Sequence, residues 1–387
     1  MAGGMVFDIN SVFVITETAE EAWVVADAKK QAADRSGDKR GKALSLIKCS
    51  EALVLMQAFD EAAKQVTEAQ AICEELKYEE GRAAVMNAMA KIYIASGSDN
   101  EEDVERGEDL VQDALAIFRK LGNKRAEAAC LTTYSGVMYA MKNCEAAIKA
   151  AKDAQMLFQE IGDRGCVASL YYEISRVHML KGAAGVGRAI KALQKSRDIQ
   201  IELGDRRKEG ECVLAIGKIE ATTPAAQKAT ATLATAGELF RAAGDYKGEA
   251  KAMSERMEMH LAAGRKVEAV EAAKLVVSIN HDAGDIKAEA AGLNRLSEIL
   301  LGNDNVSQAH KLAETAIKMA ASVQDREGMG KAAELIAKCK NGRFKQEIKE
   351  SITNYEGLAN YPRDPIIEPG LGQKSIEDYF GVVTKGL

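Results

Sequence analysis

The chain has 387 residues, of which 47% are hydrophobic but only 5% aromatic, and just 4 are proline. Its net charge of -6 is spread without a basic tract, which argues against a general nucleic-acid or membrane-surface binder. Frequent alanine with scarce proline selects helices, and no stretch approaches the roughly 20 apolar residues that a membrane-spanning helix needs.

Residues 1–16 lack the basic-then-apolar order of a secretory signal and carry Asp8. They are expected to be an extended segment, running from Val6 to Ile15, that caps the first repeat. Glu17 to Ser36 then read as a lone helix. From there a turn dipeptide recurs: Gly37-Asp38, Gly122-Asn123, Gly162-Asp163, Gly204-Asp205, Gly244-Asp245 and Gly284-Asp285. Lys77-Tyr78 and Gln324-Asp325 fit as degenerate copies. The steps are 40, 45, 40, 42, 40, 40 and 40 residues. The polar insertion Ser96 to Asp103 accounts for the step of 45, and the Gly-rich stretch Lys181 to Gly187 coincides with the step of 42. Glycine after an apolar helix end suits a left-handed C-terminal cap, and the following Asp or Asn suits an N-cap. Each period therefore reads as two helices, A after the dipeptide and B before the next.

The helices carry fixed columns. Counting the turn residue as place one, place seven holds Ala43, Ala83, Ala128, Ala168, Gly210, Ala250, Ala290 and Gly330, all small. Place ten is apolar throughout, from Leu46 to Leu293. In helix B, the position fifteen before the turn holds Ala22, Ala62, Gly107, Ala147, Ala189, Ala229, Ala269 and Ala309. Seven residues on stand Ala69, Ala114, Ala154, Ser196, Ala236 and Ala316, with Val276 as the large exception. Spacings of three, four and seven put these on one stripe per helix, and small residues let neighbouring helices approach closely.

These columns resemble the tetratricopeptide repeat family. Met86, Met89, Ala90 and Tyr93 meet its helix-A pattern, and pairs such as Ala62 with Ala69 meet its helix-B alanines. The 40-residue period is similar to the subgroup found in kinesin light chains and Pins-type adaptors. The resemblance implies an all-α fold, a right-handed α–α superhelix (TPR-like solenoid) of about eight helix-turn-helix repeats over residues 17–353. It also implies partner segments held along a concave face lined by A helices. Beyond Asn354 three of the four prolines appear. Residues 354–387 are therefore expected to be a non-repeat tail, with Tyr361, Ile366, Tyr379 and Phe380 as apolar anchors.

No HExxH, Walker A or GxGxxG pattern is present. Gly182 to Gly187 lacks the Lys-Ser/Thr of a phosphate loop and joins helix to helix. His178 and His260 occupy equivalent packing positions in two A helices. No catalytic, metal or cofactor site is expected. The seven cysteines are odd in number, with no CxxC spacing. They read as reduced thiols, hence an intracellular location, cytoplasmic or another reducing compartment.

Place fifteen is a candidate partner-binding column: Glu51, Lys91, Gly136, Arg176, Lys218, Glu258 and Glu298. It lacks the Asn that the resemblance implies for gripping a peptide backbone. Its basic centre points instead to an acidic segment, because Arg can hold a carboxylate bidentately. The expected groove residues are Asn87, Lys91, Thr132, Tyr139, Tyr172, Arg176, Leu214 and Lys218. The chain's own tail, with Glu377-Asp378-Tyr379-Phe380, is a candidate self-ligand. The expected function is a non-enzymatic scaffold or adaptor binding a protein or peptide, with no nucleic acid and no membrane insertion. The alternative is a permanent structural subunit of a large assembly, contacting neighbours through its termini and outer faces.

Overall fold

Alternating turn chemistry and small-residue columns produce sixteen helices and no strand among the described residues. The computed structural model describes residues 19–96, 100–224, 226–303 and 305–340. The expected N-terminal segment, the end of the expected repeat region (residues 341–353) and the tail lie outside them. The chain divides into two compact units, meeting in sequence at Gly204 and Asp205.

The first unit holds α1 (Ala19–Ser36), α2 (Lys39–Leu55), α3 (Phe59–Glu75), α4 (Glu79–Ser96), α5 (Glu101–Leu121), α6 (Lys124–Ala140), α7 (Cys144–Glu160), α8 (Arg164–Met179) and α9 (Ala183–Leu203). The second holds α10 (Arg206–Ala221), α11 (Ala226–Ala242), α12 (Tyr246–Ala262), α13 (Lys266–Asp282), α14 (Ile286–Gly302), α15 (Val306–Ser322) and α16 (Arg326–Cys339). Among the described residues these make seven A–B pairs, preceded by the lone B-type α1 and followed by the A-type α16.

Each turn works as its dipeptide dictates. The six turn glycines have φ between 70° and 74°, the left-handed region that glycine enters without a Cβ penalty. The following side chain then caps the next helix. Asp38 accepts from the Gly41 amide at 2.9 Å, Asn123 from Ala126 at 3.1 Å and Asp285 from Ala288 at 3.0 Å. The degenerate turns keep the same backbone with side chains attached, at Lys77 (φ 49°) and Gln324 (φ 57°). A second set of left-handed turns, between helix A and helix B, sits at Gln57, Lys142, Gly182 and Gly264. It escapes sequence reasoning because two of its four members are not glycine.

Ion pairs brace the turns eight residues apart, from the end of one helix to the second turn of the next. These are Lys42 with Asp34 at 3.0 Å, Arg119 with Glu127 at 2.8 Å and Arg241 with Glu249 at 2.8 Å, while at the equivalent place the His281 Nδ1 lies at hydrogen-bond distance, 3.1 Å, from Glu289.

The small columns are the contact seams. Ala43, Ala83, Ala128, Ala168 and Ala290 are wholly buried, as are Ala62, Ala147, Ala189, Ala229, Ala269 and Ala309. At three places a serine donates across the seam: Ser135 to the Ala147 carbonyl at 2.9 Å, Ser196 to Ala168 at 2.8 Å, and Ser297 to Ala309 at 2.7 Å. A buried hydroxyl is thereby satisfied without widening the helix spacing. In the first unit one continuous core runs from Ala43 to Ala192. The second unit is filled around Phe240 and Leu233, and around Leu293 and Leu296.

Helices two apart in sequence touch where both are A helices: α2 with α4 and α4 with α6 in the first unit, α10 with α12 and α14 with α16 in the second. Within each unit A helices therefore line the inner side and B helices the outer. All seven cysteines are free. Burial pushes the thiols of Cys49 and Cys73 up to about 11 and that of Cys130 up to about 12, which leaves them protonated and unreactive at neutral pH.

Candidate functional site

Place fifteen lies on the inner face of the A helices. In the first unit the Lys91 amine pairs with Glu51, the same place one repeat earlier, and Lys48 reaches the second Glu51 oxygen at 3.2 Å. Burial alone would push the Glu51 carboxyl up; Lys91 and then Lys48 outweigh it and hold the group below its ordinary range.

Further along the same unit, the Arg176 guanidinium lies 4.9 Å from the centre of the Tyr139 ring. It also donates to Glu173 at 2.8 Å. Burial raises the Glu173 carboxyl, and Arg176 opposes that shift. The Arg176 side chain remains 50% exposed. Tyr139 and Tyr172 are half-buried beside it. Thr132 is half-buried and spends its hydroxyl on the Ala128 carbonyl at 2.9 Å.

In the second unit Lys218 is exposed and pairs with Glu255 at 2.5 Å. Arg295 reaches back to Glu258 at 2.7 Å and also to Glu298 on its own helix. The arrangement has a rule. Place fifteen of one repeat meets place twelve of the next, 37 residues on, in both Lys218–Glu255 and Glu258–Arg295. Much of the column's charge is therefore spent between repeats.

Two of the eight expected groove residues are not on the surface. Asn87 is 1% exposed and Leu214 is 7% exposed, in the core with Val213 and Leu233. Place eleven faces the neighbouring helix, not solvent, so a surface role for these two side chains does not hold. The tail anchors Tyr361, Ile366, Tyr379 and Phe380 lie outside the described residues. What sequence reasoning missed is the acid or base at place twelve. Its signal is the 37-residue spacing, which a search at the 40-residue period passes over.

His260 behaves as a packing group. It is buried, and burial together with Arg265 and Arg256 lowers its pKa. Among the described residues no group of His, Cys, Asp or Glu is placed to hold a metal ion. No described helix is long and apolar enough to cross a membrane.

Neither a family model nor a curated protein matches the sequence. Solved structures do. A signal-transduction ATPase with a tetratricopeptide repeat sensor, from Pyrococcus horikoshii, is similar with a TM-score of 0.54 and 15% identity, over 89% of this chain and 53% of that one. This chain thus spans about half of that protein. A Rap protein complexed with competence and sporulation factor is similar with a TM-score of 0.50 and 14% identity, over 81% of this chain and 77% of that one. A putative kinesin light chain with nearly identical TPR-like repeats, from Podospora anserina, matches 52% of this chain and 95% of its own at 15% identity, with a TM-score of 0.41. The fold is that of tetratricopeptide-like repeat proteins.

Proposed function

We propose that this chain is a non-enzymatic protein-interaction scaffold that holds a partner segment along the inner, A-helix face of its repeats. The observation that carries the reading is the platform of Arg176 over Tyr139. There an exposed guanidinium on one A helix is held against an aromatic ring on the preceding one. Such a pair offers a partner a bidentate grip and an apolar surface together, and Arg and Tyr are enriched among interface anchors. The Rap protein of similar fold is seen complexed with competence and sporulation factor, which supports a binding role for the fold without fixing one for this sequence.

An acidic partner segment fits the platform, with Lys91 and Tyr172 as its neighbours along the column of the first unit; Lys218 holds the equivalent place in the second unit. Lys91 is committed to Glu51 and Lys218 to Glu255 across a repeat interface, whereas Arg176 pairs only within its own helix and keeps half of its side chain exposed over Tyr139, so Arg176 is the residue on which binding turns. The repeat region 17–353 is the binding body, and residues 354–387 act as a competing intramolecular ligand. Removing Asn354 to Leu387 should then raise affinity for an external acidic peptide.

The test uses the full-length chain as bait beside a Tyr139→Ala, Arg176→Glu variant, with any retained protein then purified and titrated against both. A partner bound by the native chain and weakened at least about tenfold by the variant supports the reading. The same large set of proteins retained equally by both would sink it in favour of a permanent structural subunit.

A further inference from the structure

We infer that the cleft between α7 and α9, on the outer face of the first unit, is a second binding site that takes an acidic peptide segment of a partner protein. The inference rests on the scaffold reading and adds a site on the opposite face from the Arg176 platform. The cleft has a volume of about 480 Å³. Lys152 of α7 forms one wall, Arg188, Lys191 and Lys195 of α9 form the other, and Tyr171, Ile174 and His178 of α8 form the floor.

Among the described residues no carboxylate lines it. That sets it apart from the concavity between α14 and α16, where Glu298, Asp325 and Glu334 stand among Lys287, Arg295 and Lys338. It also sets it apart from the inner face, where Lys91, Arg176 and Lys218 each meet a glutamate. Lys152, Arg188 and Lys191 are exposed and make no ion pair with any described residue. Lys195 lies 5.3 Å from the centre of the Tyr171 ring. The buried Nδ1 of His178 has no partner. Burial and then the charges of Lys181, Arg188 and Lys152 hold that imidazole's pKa down. Three cations without an ion pair, with Lys195 beside them, repel each other in one concavity, and an anionic ligand relieves that repulsion.

Two observations favour a peptide over a nucleic acid. Met156 stands 56% exposed at the mouth, beside the amides of Gln155 and Gln159, so the wall offers an apolar contact and hydrogen-bonding groups for a peptide backbone together. The Tyr171 ring already carries Lys195 on its face, which leaves no platform there for base stacking. A segment with carboxylates flanking an apolar side chain matches this pattern.

The experiment is fluorescence anisotropy on the full chain. The probe is a labelled peptide of about twelve residues repeating Glu-Glu-Leu, run beside a Lys-Lys-Leu peptide and an oligothymidylate of similar charge. The acidic peptide should bind saturably and the basic one should not. In a Tyr139→Ala, Arg176→Glu background, where the inner-face platform takes no part, Lys152→Glu, Arg188→Glu, Lys191→Glu should weaken binding at least about tenfold. The Tyr139→Ala, Arg176→Glu variant should leave a saturable component of native affinity. A milder Lys152→Gln, Arg188→Gln, Lys191→Gln variant, expected to lose about threefold, stands in if charge reversal perturbs the helical circular dichroism. Native affinity in the folded cleft variant, or no saturable binding by the native chain, overturns the site. Tighter binding of the oligonucleotide, lost in the cleft variant, overturns the peptide assignment. A purified partner that depends on Arg176 but not on the cleft leaves the scaffold reading standing while removing this site.

Discussion

Lys77 and Gln324 hold left-handed backbone that glycine supplies in six sister turns. A non-glycine residue there costs on the order of 1 kcal/mol through its Cβ. Lys77→Gly should therefore stabilise the chain by about 0.5–1 kcal/mol, and Gly204→Ala should cost about 1–2 kcal/mol. The measurement is the urea midpoint at unchanged slope, and a destabilised Lys77→Gly would show that the turn is not strained.

A second residue-scale case is Glu51, whose side chain is 9% exposed between Lys48 and Lys91. Lys91→Met should cost about 2 kcal/mol, below the range for a fully buried pair because Lys48 remains. The sign of the pH dependence follows from the lowered carboxyl. Its native pKa lies below the ordinary value of 4.5, so the native state releases the proton more readily than the unfolded chain. Its stabilisation is fully present above that value and is lost as pH falls through the native one. The gap between native and Lys91→Met chains should thus narrow between about pH 5 and pH 3, and a gap constant across that window would count against the pair.

At the scale of the element, the turn from α8 to α9 shows why a glycine-rich run need not be a nucleotide loop. Gly182 (φ 60°) closes the turn as the residue that caps the start of α9. A Cβ added at Gly185 would overlap the His178 carbonyl oxygen, which is backbone and cannot swing away. Gly187 meets nothing within 4 Å. Gly185→Ala should cost about 2–3 kcal/mol and shift the start of α9, whereas Gly187→Ala should gain up to about 1 kcal/mol from helix propensity. Thermal melts of the two variants distinguish a packing role from a general need for flexibility, which would make both harmful. The same turn positions Arg188 and Lys191, so Gly185→Ala should also weaken acidic-peptide binding in the cleft.

For the whole molecule, each unit has its own buried core and its own run of turn braces. Repeat arrays are stabilised by nearest-neighbour interfaces, not by contacts distant in sequence. A fragment ending at Gly204 should then remain helical and melt cooperatively. Circular dichroism during heating checks this, and a flat, non-cooperative trace would show that the first unit does not hold its core alone.

The sequence by itself determined the pairing of helices, the turns between repeats and the contact seams. A left-handed glycine, an N-cap and a column of alanines are local requirements that recur at a fixed period, and all are visible in Gly162, Asp163, Ala168 and their counterparts. Only the tertiary structure decided which charges are spent and which are free. Lys91, Arg176 and Lys218 look alike in the sequence, yet each meets a carboxylate, two of them across a repeat interface. Lys152 and Lys191 have no mark in any column, yet they face each other across an open cleft. Helical periodicity tells which side of a helix a residue occupies. Whether that side faces solvent, a core or an opposite charge depends on the neighbouring helix some 37 to 40 residues away. Asn87 and Leu214, which their spacing assigns to the groove, are buried for that reason.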